Sequence, residues 1–117
     1  MSQDFKTIGM IGIGQLGLPI AKNLINAGYR VVGYRRSDRE EFQRCGGEAL
    51  NSPGEVAQAA DAILLCLPNE NAQLEVFEGE SGLLQNLRAG TILLEMGTYS
   101  REFKLAQAAR VVAQGGL

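Results

Sequence analysis

The sequence predicts an α/β chain with a Rossmann-type, doubly wound parallel sheet in three layers, α/β/α. Short apolar runs alternate with amphipathic segments along its whole length, the pattern of a parallel sheet with right-handed crossovers. Residues 8–13 are an apolar run that leads into Gly12, Gly14 and Gly17, which spell G-x-G-x-x-G. A helical pattern, Leu16 to Ala27, leads out. In a chain of 15 glycines the spacing alone is weak, but a strand that turns into a helix over three glycines is the phosphate-binding turn of a dinucleotide fold.

Each element has a local reason. The first strand is Thr7–Ile11. The first helix carries Leu16, Ile20 and Leu24 at four-residue spacing beside Ala21 and Ile25, with Lys22, Asn23 and Asn26 facing away. Pro19 falls in its first turn, where a missing N–H costs little, and Gly28 stops it. The second strand is Arg30–Tyr34, then a short helix over Arg39–Cys45 ends at Gly46-Gly47 and a brief strand covers Glu48–Leu50. Ser52-Pro53-Gly54-Glu55 is a capping box with proline at the first helical position, starting a helix that runs to about Ala60. The fourth strand, Ala62–Leu67, is apolar throughout, as a strand buried on both faces should be. Asn69–Phe77 reads as helix, Ser81–Asn86 as a helical turn, and Thr91–Glu95 as the fifth strand. The last helix runs from about Ser100 to Gln114, with Phe103, Ala106, Ala109 (or Arg110) and Ala113 along one side and Gly115-Gly116 as its stop.

Size and composition set bounds. The 117 residues form one domain, able to bury roughly two thirds of the unfolded surface. At 45% hydrophobic and 21% charged the chain is ordinary for a globular protein. A net charge of −2 makes no electrostatic case for nucleic acid or an anionic membrane. No apolar run approaches the ~20 residues of a membrane span, and the polar start lacks a signal-peptide stretch. Cys45 and Cys66 lack framework spacing and read as reduced thiols of a cytoplasmic protein, Cys66 within the fourth strand. Histidine is absent, which removes the commonest general base and metal ligand, and no metal site is expected.

The glycines divide the work at the turn. Gly12 allows the tight turn, Gly14 lets the backbone approach a pyrophosphate, and Gly17 lets helix and strand pack closely. N–H groups around Gln15 and Leu16 then point at the phosphates, aided by the helix dipole. An NAD site usually places Asp or Glu at the end of the second strand, to bind the ribose 2′-hydroxyl. Here that place holds Tyr34-Arg35-Arg36-Ser37, with no acid before Asp38. A carboxylate would repel a 2′-phosphate, whereas guanidinium groups and a hydroxyl bind it. Such charge-assisted bonds contribute about 1.5–3 kcal/mol each, roughly ten- to a hundredfold in affinity. The expected cofactor is therefore NADP(H) rather than NAD(H), though a solvated basic loop, or an arginine stacked on adenine, would account for the same residues.

Residues 8–37 resemble the start of the β-hydroxyacid dehydrogenases, a family that includes 3-hydroxyisobutyrate dehydrogenase, tartronate semialdehyde reductase and 6-phosphogluconate dehydrogenase, with imine reductases as cousins. The resemblance rests on the glycine turn, Ala21-x-Asn23-Leu24, Ala27-Gly28-Tyr29, Leu67-Pro68-Asn69, Glu75-Val76-Phe77 with Gly79 and Gly82, and Leu93-Leu94-Glu95-Met96-Gly97-Thr98. These lie in order over almost the whole chain. Arg35 replaces a usual asparagine, Gly97 a usual serine, and Arg101 stands where proline is common.

The resemblance implies that Leu67 and Pro68 lie against the cofactor ribose and diphosphate, that Asn69 and Ala72 cover its adenine side, and that Thr98 lies near the nicotinamide, where an N-cap or turn role is the plainer alternative. Glu95 reads as a variant of the family aspartate. The resemblance also implies a hydride transfer between nicotinamide and a small hydroxy acid or semialdehyde. The catalytic lysine of such enzymes comes later, in a helical C-terminal domain through which they oligomerise. Lys6, Lys22 and Lys104 match no catalytic position, so no catalytic residue is expected within residues 1–117. The chain stops directly after a helix stop, where this fold expects another strand, so it reads as the cofactor domain of a longer protein, binding nucleotide without turnover. Exposed apolar surface is then expected on the last helix, along Leu105, Ala109 and Val112. Two other classes share the glycine turn: a nucleotide-sensing regulatory module of the kind that gates transport, and a methyltransferase. Both generally want an acid after the second strand, which Tyr34-Arg35-Arg36 does not supply.

Overall fold

A computed structural model describes residues 6–12, 17–35, 40–96 and 99–116. Its elements in chain order are β1 (Thr7–Ile11), α1 (Gly17–Asn26), β2 (Arg30–Tyr34), α2 (Glu40–Arg44), β3 (Glu48–Ala49), α3 (Pro53–Ala59), β4 (Ala62–Leu65), α4 (Glu70–Phe77), α5 (Leu83–Asn86), β5 (Ile92–Glu95) and α6 (Arg101–Ala113). The five strands form one parallel sheet in the order β3-β2-β1-β4-β5. The chain thus winds outward from β1 to β3, returns, and continues on the other side through β4. The direction of winding reverses between β1 and β4, where open α/β sheets bind ligands.

Side-chain alternation along the strands builds a core on each face. Ile11, Val32, Ile63 and Leu65 point to the face covered by α3, α4 and α5, where they meet Val56, Val76, Phe77, Leu83 and, from α6, Val111. Met10 and Val31 point to the other face, against Ala21 of α1 and Phe42 of α2.

The helix starts follow the local chemistry. Ser52 Oγ accepts from the Glu55 N–H at 3.2 Å, while the Glu55 carboxylate reaches one residue further back than the capping box requires, accepting from the Asn51 N–H at 3.2 Å. Ser100 caps α6 in the same way, accepting from the Phe103 N–H at 3.2 Å.

Two expectations are corrected. β4 ends at Leu65 rather than Leu67, because its neighbour β1 turns away at Gly12; Cys66 lies just beyond the strand, still donating its N–H to Ile11 at 2.8 Å. On α6 the inward face is Phe103, Gln107, Arg110 and Val111: of the side read from the sequence, Phe103 and Arg110 turn inward, whereas Ala106 and Ala113 are exposed, as is Ala109, in keeping with the exposed apolar surface expected there. Alanine offers little area to bury, and the rotation of α6 is set by its partners at the two ends of α4: Arg110 donates to Glu78, the residue after α4, at 2.6 Å, and Glu70 accepts from the Ser100 N–H at 3.3 Å. The apolar surface expected on α6 is present, with Leu105 59% and Val112 65% exposed. Among the described residues no helix is long and apolar enough to cross a membrane.

Candidate functional site

Gly12 ends β1 with φ +90°, a backbone conformation that favours glycine. A Cβ there would collide with the carbonyl oxygen of Cys66, and its nearest side-chain neighbour would be Leu67 Cδ2 at 3.2 Å. Gly17 opens α1 so close to the turn that a Cβ would collide with the Gly12 carbonyl oxygen. Two of the three glycines therefore hold β1, α1 and the end of β4 together at distances no other residue permits. Gly14, Gln15 and Leu16 lie outside the described residues.

Above this junction opens a cleft of about 1080 Å³. Gly12 forms its floor; Tyr34 and Arg35 line it from the end of β2, Cys66, Leu67 and Pro68 from β4, and Met96 from β5. The wall is α4, through Asn69, Asn71, Ala72, Glu75 and Val76. Every lining group from the sheet thus comes from a carboxyl end, on both sides of the point where the winding reverses. Of the residues singled out in the sequence, Gly12, Tyr34, Arg35, Leu67, Pro68, Asn69 and Ala72 come together here. Arg36, Ser37 and Thr98 lie outside the described residues. Asn69 also caps α4, its Oδ1 accepting from the Ala72 N–H at 2.8 Å, which fixes the wall to the β4 loop.

The loop closing the adjacent rim explains the glycines after Phe77. A Cβ at Gly82 would collide with the Glu78 carbonyl oxygen, and Gly79 has φ +83°. Asn86 holds this loop from α5, donating to the carbonyls of Glu80 and Gly82, both at 2.8 Å, while accepting from Gln58 at 2.7 Å.

Residues 7–116 match the family of the NAD binding domain of 6-phosphogluconate dehydrogenase. The chain belongs to this family. Rat mitochondrial 3-hydroxyisobutyrate dehydrogenase is 33% identical over 112 residues, covering 94% of the chain and 33% of the relative. The chain therefore spans about a third of the length of the curated relatives it matches. Among solved structures, Psf3 in complex with NADP+ and 2-OPP superposes with a TM-score of 0.85 at 26% identity, covering 93% of this chain and 39% of that one. A Myxococcus stipitatus imine reductase variant in complex with NAD+ shares the fold, with a TM-score of 0.86 at 17% identity over 97% of this chain and 38% of its own.

Within this NAD(P)-binding domain the sequence pattern does not single out Cys66, Asn71, Glu75, Val76 and Met96 as cleft residues, nor does it reveal the contact made with the lining residue Leu67 by Tyr99. Its hydroxyl donates to the Leu67 carbonyl at 2.9 Å, and its ring meets Phe103 edge-on, with centroids 5.4 Å apart. Burial, and then the charges of Glu95 and Glu70, push its hydroxyl up to about 12, so it remains a neutral donor. Burial and Glu95 likewise push the Cys66 thiol up, leaving an uncharged cleft wall there. The bond from Tyr99 spans 32 residues, and no local pattern announces it. Lys6, Lys22 and Lys104 are exposed and none lines the cleft. Among the described residues no group of three or more Cys, Asp and Glu side chains could hold a metal ion.

Proposed function

We propose that the chain is the NADP(H)-binding half of an oxidoreductase that transfers a hydride between nicotinamide and a small 3-hydroxy acid or its semialdehyde. One observation carries this reading: a cleft at the carboxyl ends of the strands, floored by Gly12 and flanked by Arg35, at the point where the winding reverses. Its size matches the upper range of cofactor pockets. The cofactor, when bound, supplies the redox chemistry, and the chain binds and orients it. In this reading Gly12, Gly14, Gln15, Leu16 and Gly17 hold the diphosphate, and Leu67 and Pro68 lie against diphosphate and ribose. Asn69 and Ala72 cover the adenine side, and Thr98 lies toward the nicotinamide. Tyr34, Arg35, Arg36 and Ser37 receive the 2′-phosphate.

The substrate class is suggested by the relatives named for 3-hydroxyisobutyrate. Residues 1–117 would form the cofactor domain, with the catalytic lysine and substrate walls elsewhere in the protein. A helical partner domain would cover the exposed side of α6 and carry any homo-oligomer contact. A nucleic acid or a membrane is not among the proposed partners. The free thiols of Cys45 and Cys66 suit a reducing compartment, and we place the protein in the cytoplasm; fractionation against a mitochondrial marker tests this, since several relatives are mitochondrial.

Titration of the chain with NADPH and NADH tests the cofactor assignment. NADPH is expected to bind tighter, and Arg35→Ala to weaken NADPH about tenfold while leaving NADH nearly unchanged. Tighter binding of NADH by the wild-type chain overturns the NADP assignment.

A further inference from the structure

Among the described residues, three hydrogen bonds join the end of β4 and the residues after it to the segment after β5 at the carboxyl end of the sheet. The Met96 N–H donates to Leu65 at 2.9 Å, the Tyr99 hydroxyl to Leu67 at 2.9 Å, and the Ser100 N–H to Glu70 at 3.3 Å. Only the second is accepted by a residue that lines the cleft.

The accepting carbonyl is an unusual handle. Leu67 precedes proline, which biases it to an extended backbone, and Pro68 has no N–H through which the next peptide could be anchored. The orientation of the Leu67–Pro68 peptide is thus governed by what its oxygen meets, and that partner is Tyr99. The tyrosine ring is itself fixed, packed edge-on at 79° against Phe103 in the first turn of α6. The Leu67 side chain lies beside Gly12, its Cδ2 3.2 Å from where a Cβ on that glycine would stand.

We infer that Tyr99 is a positioning residue for the cofactor: its hydroxyl fixes the Leu67–Pro68 wall over the glycine turn, on the side of the cleft away from Arg35. The inference rests on the cofactor reading above. It predicts a division within the ligand. The adenosine half, between α4 and Arg35, depends on the Leu67 carbonyl less than does the remainder of the dinucleotide, along the β4 and β5 ends.

The test is titration of the whole chain and its Tyr99→Phe variant with NADPH and with 2′,5′-ADP, which carries only the adenosine half. Tyr99→Phe keeps the ring and its contact with Phe103. It is expected to weaken NADPH about fivefold, the effect of one hydrogen bond, and to weaken 2′,5′-ADP less than about twofold. Phe103→Leu keeps the hydroxyl but loosens the ring that carries it, and is expected to shift the ratio of the two affinities in the same direction by less than Tyr99→Phe does. Equal weakening of both ligands by Tyr99→Phe, an unchanged NADPH affinity, loss of the fold, or a Phe103→Leu ratio shifted as far as that of Tyr99→Phe each overturns the assignment. A wild-type chain that binds neither ligand overturns the cofactor reading itself, and this inference with it.

Discussion

At the amino end of the sheet, Asp61 Oδ2 accepts from the N–H groups of Lys6 and Thr7, both at 3.1 Å, and Arg88 donates to Asp61 at 3.2 Å and to the Ala60 carbonyl at 2.6 Å. On the next strands Arg30 grips Glu48 with two bonds, of 2.6 and 2.9 Å. At the carboxyl end of the same strands the chain instead leaves β1 through glycine, and Gly12, Tyr34, Leu67 and Met96 border open space. The contrast follows from the direction of a parallel sheet. Strand amino ends present N–H groups, which a carboxylate satisfies at once. The carboxyl ends lead into helix starts, whose N–H groups favour an anion, and a carboxylate at the turn would repel a phosphate. One end of the sheet is closed by side chains; the other keeps its backbone accessible.

The largest expected effect comes from adding one carbon at the open end. Gly12→Ala places a Cβ against the Cys66 carbonyl at a φ of +90°, and is expected to cost about 3 kcal/mol of stability and to abolish measurable NADPH binding. Denaturant melts and a ligand titration check it; a variant as stable as wild type would show that β1 and β4 are not locked at this turn. A smaller, separable effect is expected at the closed end. Asp61→Ala removes the partner of two N–H groups and of Arg88, at an expected cost of about 1 kcal/mol because the site is partly exposed. The folded fraction should bind NADPH as wild type does. A parallel loss of affinity would mean that the two ends are coupled rather than independent.

The smallest effect concerns acid. The Thr7 N–H, with help from Lys6 and Arg88, holds the Asp61 carboxyl below its ordinary range, and Arg30 does the same for Glu48. A carboxyl lowered in the folded state stabilises the fold fully above its unfolded pKa. That contribution is lost as pH falls through the folded value. Melting temperature is therefore expected to fall modestly between about pH 5 and pH 2, and less so in Asp61→Ala. An identical acid profile in the two proteins would place the sensitivity elsewhere.

Much of this was legible because it is local. The glycine turn, the Ser52 cap and the β1–α1 unit each sit within 20 residues, and propensity, capping and spacing act over that range. On α6 the sequence aligned Phe103 with alanines along one side, but only Phe103 and the alternative Arg110 turn inward, beside Gln107 and Val111, once Arg110 meets Glu78. The Asp61 closure spans 54 residues to Thr7 and the Tyr99 tether 32 to Leu67. Neither aspartate before a strand nor tyrosine before a helix is distinctive alone.

The chain's order of apolar runs and glycines determined the strands, their parallel direction and the place of the turn, since those depend on backbone conformation and on which face each residue can bury. Which long-range partners close the amino end, which face of α6 turns inward, and what holds the Leu67–Pro68 wall were decided only when the sheet brought distant segments within hydrogen-bond reach. A hydrogen bond depends on distance and angle in space, and sequence spacing specifies neither once the chain has crossed the sheet.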